Sequence, residues 1–170
     1  MTLDGINTLD RATFVTALGG TFEHSPWIAE RTWPQWPFTS VGALHTAMCS
    51  VVDAATTREQ MALIRAHPAL AGKAALRGEL TEASAREQRG AELDQCSPAE
   101  LKRLTELNVA YRQKFGFPFI IAVRGLTRAA IIEAMAQRLL NDPQTEHDEA
   151  LRQIARIAGL RLRDMIEPEG

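Results

Sequence analysis

Helix-start signals recur along this chain, and they constrain what it can fold into more than any other feature. Ser25-Pro26 and Ser97-Pro98 each set an N-cap residue before a proline at the first helical position, where a missing N–H costs nothing. Thr57-Arg-Glu-Gln60 and Ser97-Pro-Ala-Glu100 have capping-box spacing, in which two orphan amides at a helix start are satisfied reciprocally. Gly19-Gly20 and Gly116 close apolar-periodic stretches, and Pro68 disfavours helical geometry at His67. With the 3.6-residue periodicity between them, these signals predict helices over 10–18, 26–33, 40–55, 57–66, 81–95, 98–115, 127–140 and 145–166, with a loop at 71–80.

One stretch departs from this pattern. Phe117-Pro-Phe-Ile-Ile-Ala-Val123 is apolar and β-prone, yet no second strand-like run is available to pair with it. The predicted architecture is therefore all-α: a single-domain bundle over 1–170 of about seven to nine helices, with one short extended segment near 117–123. The amides from Phe119 to Ile121 then lack a sheet partner, so side chains, water or a ligand must accept them.

Composition excludes several functions. The formal charge of −2 offers no basic field for nucleic acid or anionic lipid, and no apolar run approaches the roughly 20 residues that a bilayer requires. The two cysteines, Cys49 and Cys96, form no CxxC or Cys/His pair, and no two of the four histidines have metal-ligand spacing. We therefore expect no metal site, no nucleic-acid or membrane partner and a cytoplasmic location. His147 reads as exposed, and Glu167-Pro-Glu-Gly170 as a plain tail.

Three polar groups stand in apolar surroundings. In the last helix, Leu151, Ile154, Ala155, Ala158, Leu162 and Met165 form an apolar stripe, with Arg152, Arg156 and Arg163 opposite and Arg161 on the stripe's edge. Arg161 can snorkel, pair with a structural carboxylate or clamp a ligand anion or carbonyl. In the 81–95 helix, Leu80, Ser84, Glu87, Gln88 and Ala91 share a face that places a hydroxyl, a carboxylate and an amide side by side. Such a face suits a small molecule rich in N–H and C=O groups, but it is also common on solvated helices. His67 sits where a helix meets the rigid Pro68, either as a structural hydrogen-bonder or as a proton carrier at a pocket rim.

Seven segments, in order, carry a family resemblance: Phe14-Val-x-x-Leu18-Gly, Glu23-His-Ser-Pro-Trp27, Trp36-Pro-Phe38, Leu63-Ile-x-x-His67-Pro-x-Leu70, Ser84-x-x-Glu87-Gln88, Leu107-Asn-x-x-Tyr111-x-x-Lys-Phe115-Gly-Phe117-Pro-Phe119 and Ile157-Ala-x-Leu160-Arg161-Leu162. Together they make the chain resemble the 2-oxo-4-hydroxy-4-carboxy-5-ureidoimidazoline (OHCU) decarboxylases, which catalyse the last step from urate to (S)-allantoin. The resemblance implies a helical homodimer that uses no metal or organic cofactor and takes a small ureide as substrate. It also implies that His67 and Glu87 are the catalytic pair, that Pro68, Ser84, Gln88 and Arg161 line the pocket, and that Phe119, Ile120 and Ile121 offer backbone amides to the substrate. Two alternatives remain at this stage: a hydrolase or isomerase acting on another ureide, and a non-catalytic helical interaction module.

Overall fold

A computed structural model of the chain describes residues 1–168, so Glu169 and Gly170 of the expected tail lie outside the described residues. Among the described residues there is no β-strand. The helices are α1 (Leu3–Ile6), α2 (Arg11–Leu18), α3 (Trp27–Thr32), α4 (Val41–Asp53), α5 (Thr57–Ala66), α6 (Lys73–Leu76), α7 (Glu82–Gly90), α8 (Pro98–Phe115), α9 (Arg128–Arg138) and α10 (Pro143–Met165), with 3-10 turns at Trp33–Gln35 and Leu93–Gln95. The eight predicted helices are present, and the all-α reading holds.

Of the three predicted caps, the one at Ser97 forms as read and two are corrected. Helix α3 starts after Pro26 with no side-chain cap, since the Ser25 hydroxyl donates to the Glu23 carbonyl instead. The box at α5 is made by Thr56 and Glu59, one residue earlier than Thr57 and Gln60, because Thr56 is the residue just outside the first helical turn. The Ser97 hydroxyl accepts the Glu100 amide at 3.1 Å, the Glu100 carboxylate accepts the Ser97 amide at 2.9 Å, and Gly116 closes α8 with φ +76°. Two predicted boundaries are corrected. The 71–80 stretch contains the one-turn helix α6, too short for periodicity to reveal. The helix predicted over 81–95 stops at Gly90, because Glu92 turns left-handed (φ +57°) and a separate 3-10 turn follows. The reversal falls on a glutamate, two residues after the only nearby glycine, so the usual C-terminal signal is out of place.

The chain separates into two compact units: Met1–Ala66 with the residues from Ala155 onward, and His67–Ile154. In the first unit, Phe14, Leu18, Ile28, Leu44, Met48, Leu63 and Leu162 are fully buried. Phe14 meets Trp33 edge-on at 5.2 Å and stacks against Phe38 at 6.0 Å. The His45 imidazole bonds the Ala155 carbonyl at 2.7 Å, and a Cβ at Gly159 would come within 3.0 Å of that ring, so glycine is what lets α10 approach α4 there.

In the second unit, α8 supplies Leu104, Leu107, Tyr111 and Phe115 to a core completed by Phe117, Phe119, Ile131 and Met135. Tyr111 is the hub of its aromatic cluster, with Phe115, Phe117 and Phe119 centroids at 4.6, 5.9 and 5.4 Å. Residues 118–123 have neither helix nor strand, as the extended reading requires. His147, predicted to be exposed, keeps only 12% of its side-chain surface accessible, and both ring nitrogens are buried without a hydrogen bond. It precedes Ala150, Ile154 and Ala158 at helical spacing and so falls on the buried stripe of α10, which its hydrophilicity alone does not foretell.

Candidate functional site

His67 follows directly on α5 at the point where Pro68 forbids another turn, and it is buried at 7% exposure. The loop after it is pinned from two helices. From α7, the Gln88 side chain accepts the Ala71 amide at 3.0 Å and donates to the Ala69 carbonyl at 3.4 Å. From α8, the Asn108 amide donates to the Leu70 carbonyl at 2.9 Å. Gln88 thus ties the His67 loop to the helix that carries Ser84 and Glu87, leaving one amide N–H and one acceptor lone pair on its side chain for a ligand.

Helix α7 begins at Thr81, whose hydroxyl accepts the Ser84 amide at 3.2 Å. Its face of Leu80, Ser84, Glu87, Gln88 and Ala91 is turned inward: Ser84, Gln88 and Ala91 are buried, while Leu80 and Glu87 are half-buried. A solvated helix would not bury a serine and a glutamine in this way. The neighbouring stripe of α7, Ala85, Gln88 and Arg89, lines a cavity of about 470 Å³ together with Ala71, Leu80 and Leu93. Gln88 lies at the boundary of the two faces.

The 119–121 segment is held by α9 and α10. Arg138 donates to the Ile120 carbonyl at 2.6 Å, and the Ala122 amide donates to Gln153 at 3.0 Å. Phe119 and Ile120 are buried and Ile121 half-buried, yet among the described residues no acceptor meets the amides of Phe119, Ile120 or Ile121. Three adjacent amides without protein acceptors leave donors available to a ligand.

Arg161 belongs to the first unit. The observed burial centres on Ala150, Ile154, Ile157, Ala158, Arg161 and Leu162, so Arg161 stands within the apolar stripe of α10 and not on its edge, while Arg152, Arg156 and Arg163 are exposed as expected. Its guanidinium donates to the Glu23 carboxylate at 2.9 Å and to the Gly20 carbonyl at 3.4 Å, and Glu23 is only 2% exposed. Of the three sequence readings for Arg161, pairing with a structural carboxylate is observed, and snorkelling is not. Glu23 itself sits in a quoted motif, but nothing in its spacing names it as the partner of a residue 138 positions away.

The remaining reactive groups are quiet. Burial, with a smaller contribution from Asp53, pushes the Cys49 thiol up to about 11, and burial also raises Cys96, so neither is a ready thiolate. Among the described residues no group of three or more His, Cys, Asp or Glu is placed to hold a metal ion, and no helix is long and apolar enough to cross a membrane.

Residues 7–163 match the sequence model of the OHCU decarboxylases. The chain belongs to the OHCU decarboxylase family. An OHCU decarboxylase of Haloferax volcanii is 42% identical over 169 residues, covering 99% of this chain and 98% of that protein. One of Halalkalicoccus jeotgali is 40% identical over 168 residues, 99% of this chain and 93% of its own. The uric acid degradation bifunctional protein of Bacillus subtilis is 41% identical over 169 residues, which make up 33% of its length. Among solved structures, an (S)-allantoin synthase superposes with a TM-score of 0.80 at 29% identity, covering 98% of this chain, which spans 54% of that one. An OHCU decarboxylase crystallised in the presence of (S)-allantoin superposes with a TM-score of 0.66 at 28% identity, over 81% of this chain and 89% of that one.

Proposed function

We propose that this chain decarboxylates OHCU to (S)-allantoin and carbon dioxide, the last step of urate breakdown, with residues 1–170 working as one catalytic domain. The observation that carries this reading is the near full-length similarity to proteins named for that reaction, through a family match that runs across both compact units.

The chemistry asks little of the protein beyond orientation and one proton. The substrate carboxylate sits on a hydroxyl-bearing ring carbon next to a ring C=N. When the carbon–carbon bond to the carboxylate breaks and carbon dioxide leaves, the released electron pair forms a C=C bond to the ureido-bearing carbon. The C=N pair passes to the ring nitrogen, which takes a proton, and an enol is left. The ureido-bearing carbon then takes a proton on one face, and the hydroxyl loses its own to become the ring carbonyl. The substrate is its own electron sink, so we assign no metal or organic cofactor to the step.

His67 is the proton carrier in this reading, supported by its burial and by the pinned loop that holds it. Glu87 accepts ureido or ring N–H groups, and its charge disfavours the bound carboxylate relative to the charge-delocalised transition state. Pro68, Ser84 and Gln88 shape the pocket, the amides of Phe119, Ile120 and Ile121 donate to substrate oxygens, and Arg161, oriented by Glu23, grips carbonyl oxygens away from the departing carboxylate. The family reading extends to a homodimer in the cytoplasm.

The test is chiral detection of allantoin from freshly generated OHCU, with and without prior chelation. Fast, (S)-selective formation that survives chelation is expected. A racemic product at the spontaneous rate would overturn the assignment, and hydrolysis of a different ureide would replace it.

A further inference from the structure

This inference rests on the substrate-binding role given above to the 119–121 amides and concerns what aims them. We propose that Arg138, locked by the buried Glu146 carboxylate, is a positioning residue that turns the Ile121 amide toward the bound ureide.

Glu146 is 0% exposed and its carboxylate is surrounded by donors. The Arg138 Nε lies 3.1 Å from both oxygens, Nη2 donates to Oε2 at 2.9 Å, the Asn141 amide donates to Oε1 at 3.0 Å, and the Tyr111 hydroxyl donates to Oε2. With that many partners the carboxylate cannot rotate, and the planar guanidinium is fixed in turn. Arg138 spends its remaining contacts on the candidate segment: Nη1 donates to the Ile120 carbonyl at 2.6 Å, and the guanidinium stacks over the Phe119 ring at 4.4 Å.

The consequence follows from the planarity of the peptide. In a trans peptide the carbonyl of one residue and the N–H of the next point in opposite directions, so holding the Ile120 carbonyl against Arg138 sends the Ile121 N–H the other way. The next peptide is fixed as well, since the Ala122 amide is held by Gln153, whose own amide donates to Glu149 at 2.7 Å. The Ile121 N–H therefore belongs to one clamped peptide plane and is followed by another, and it has no acceptor among the described residues.

The experiment titrates the full chain with (S)-allantoin while following the Ile121 amide by 15N-resolved NMR, alongside steady-state kinetics on OHCU. In the wild type, allantoin should shift the Ile121 resonance. Arg138→Met should abolish most of that shift and raise KM about 3- to 10-fold, the value of one hydrogen bond to a ligand, with kcat changed much less. Because Arg138→Met strands a buried carboxylate, the double variant Arg138→Met/Glu146→Met removes both charges and should fold with the same binding defect. Arg138→Lys, which keeps a donor for the Ile120 carbonyl, should fall between the single variant and the wild type. A wild type that turns over OHCU without an Ile121 shift, or a folded double variant with unchanged KM and allantoin response, would overturn the positioning role and leave the decarboxylase reading intact. A wild type that does not turn over OHCU at all would remove the functional reading, and this inference with it.

Discussion

Among the described residues, a largely buried arginine–glutamate pair is found in each compact unit, Arg161–Glu23 in one and Arg138–Glu146 in the other, and the two are used differently. In the first unit, Arg161 and Glu23 join α10 to the segment after α2, and the arginine is itself a candidate ligand contact. In the second, Arg138 and Glu146 lie close in sequence, and the arginine's outer donor is spent on the backbone of the 119–121 segment. A buried ion pair is weak evidence of stabilisation, because desolvation offsets most of the Coulomb attraction. Both arginines also reach a main-chain carbonyl, Arg161 that of Gly20 and Arg138 that of Ile120, but in the proposed reading Arg161 meets the ligand with its own side chain whereas Arg138 acts through the backbone segment it holds.

The largest effect should belong to neither pair. His67→Asn removes the proton carrier but keeps a polar side chain, and should lower turnover by roughly 10²- to 10⁴-fold while leaving allantoin affinity and melting temperature nearly unchanged. Kinetics with chiral product analysis and calorimetry check it. Unchanged (S)-selective turnover would remove His67 from the proton route and leave both pairs as the main determinants of the site.

Next comes the second unit's pair. Glu146→Ala leaves Arg138 charged and largely desolvated, and should cost about 3–5 kcal/mol in chemical denaturation. A loss below about 1 kcal/mol would mean that water reaches Arg138 freely and that the pair does not lock it in place.

For the first unit's pair, Arg161→Leu should weaken allantoin binding by about 1.5–3 kcal/mol, with a smaller effect on turnover. The double variant Arg161→Leu/Glu23→Gln sharpens the point. If it restores both stability and allantoin affinity, Arg161 is structural only and the two pairs are alike.

The smallest effect is a surface control in the first unit. A hydrogen bond from Arg31, and then one from the Thr56 amide, hold Glu59 well below the usual carboxylate range, at about 2. The folded pKa is depressed, so its contribution is present above the ordinary value near 4.5 and is lost as pH falls toward 2. Glu59→Gln should therefore be slightly less stable than the wild type at neutral pH, and the difference should shrink on acidification through that window. A difference that grows on acidification would contradict the sign.

Local signals carried the secondary structure far. Proline after serine, the Ser97–Glu100 box and the closing Gly116 act within a turn of the residues that bear them, so α8 was legible to within a residue. His67 stood out because a proline follows it, and Ser84, Glu87 and Gln88 because they share a face. The same locality explains the misses. The end of α7 turns on the left-handed Glu92, which has no signature in its own identity. The burial of His147 depends on what packs around α10.

The sequence by itself determined that this chain is helical, where most of its helices begin, which segment stays extended and which family motifs it carries, because caps, periodicity and motif spacing are properties of neighbouring residues. Only the tertiary structure decided which charges pair. That Glu23 meets Arg161, that Gln88 reaches back to Ala69 and Ala71, and that Arg138 holds the Ile120 carbonyl are consequences of packing between elements far apart in the chain. A buried polar group takes whichever partner the fold delivers to it, and the cost of leaving it unpaired acts only once that fold exists.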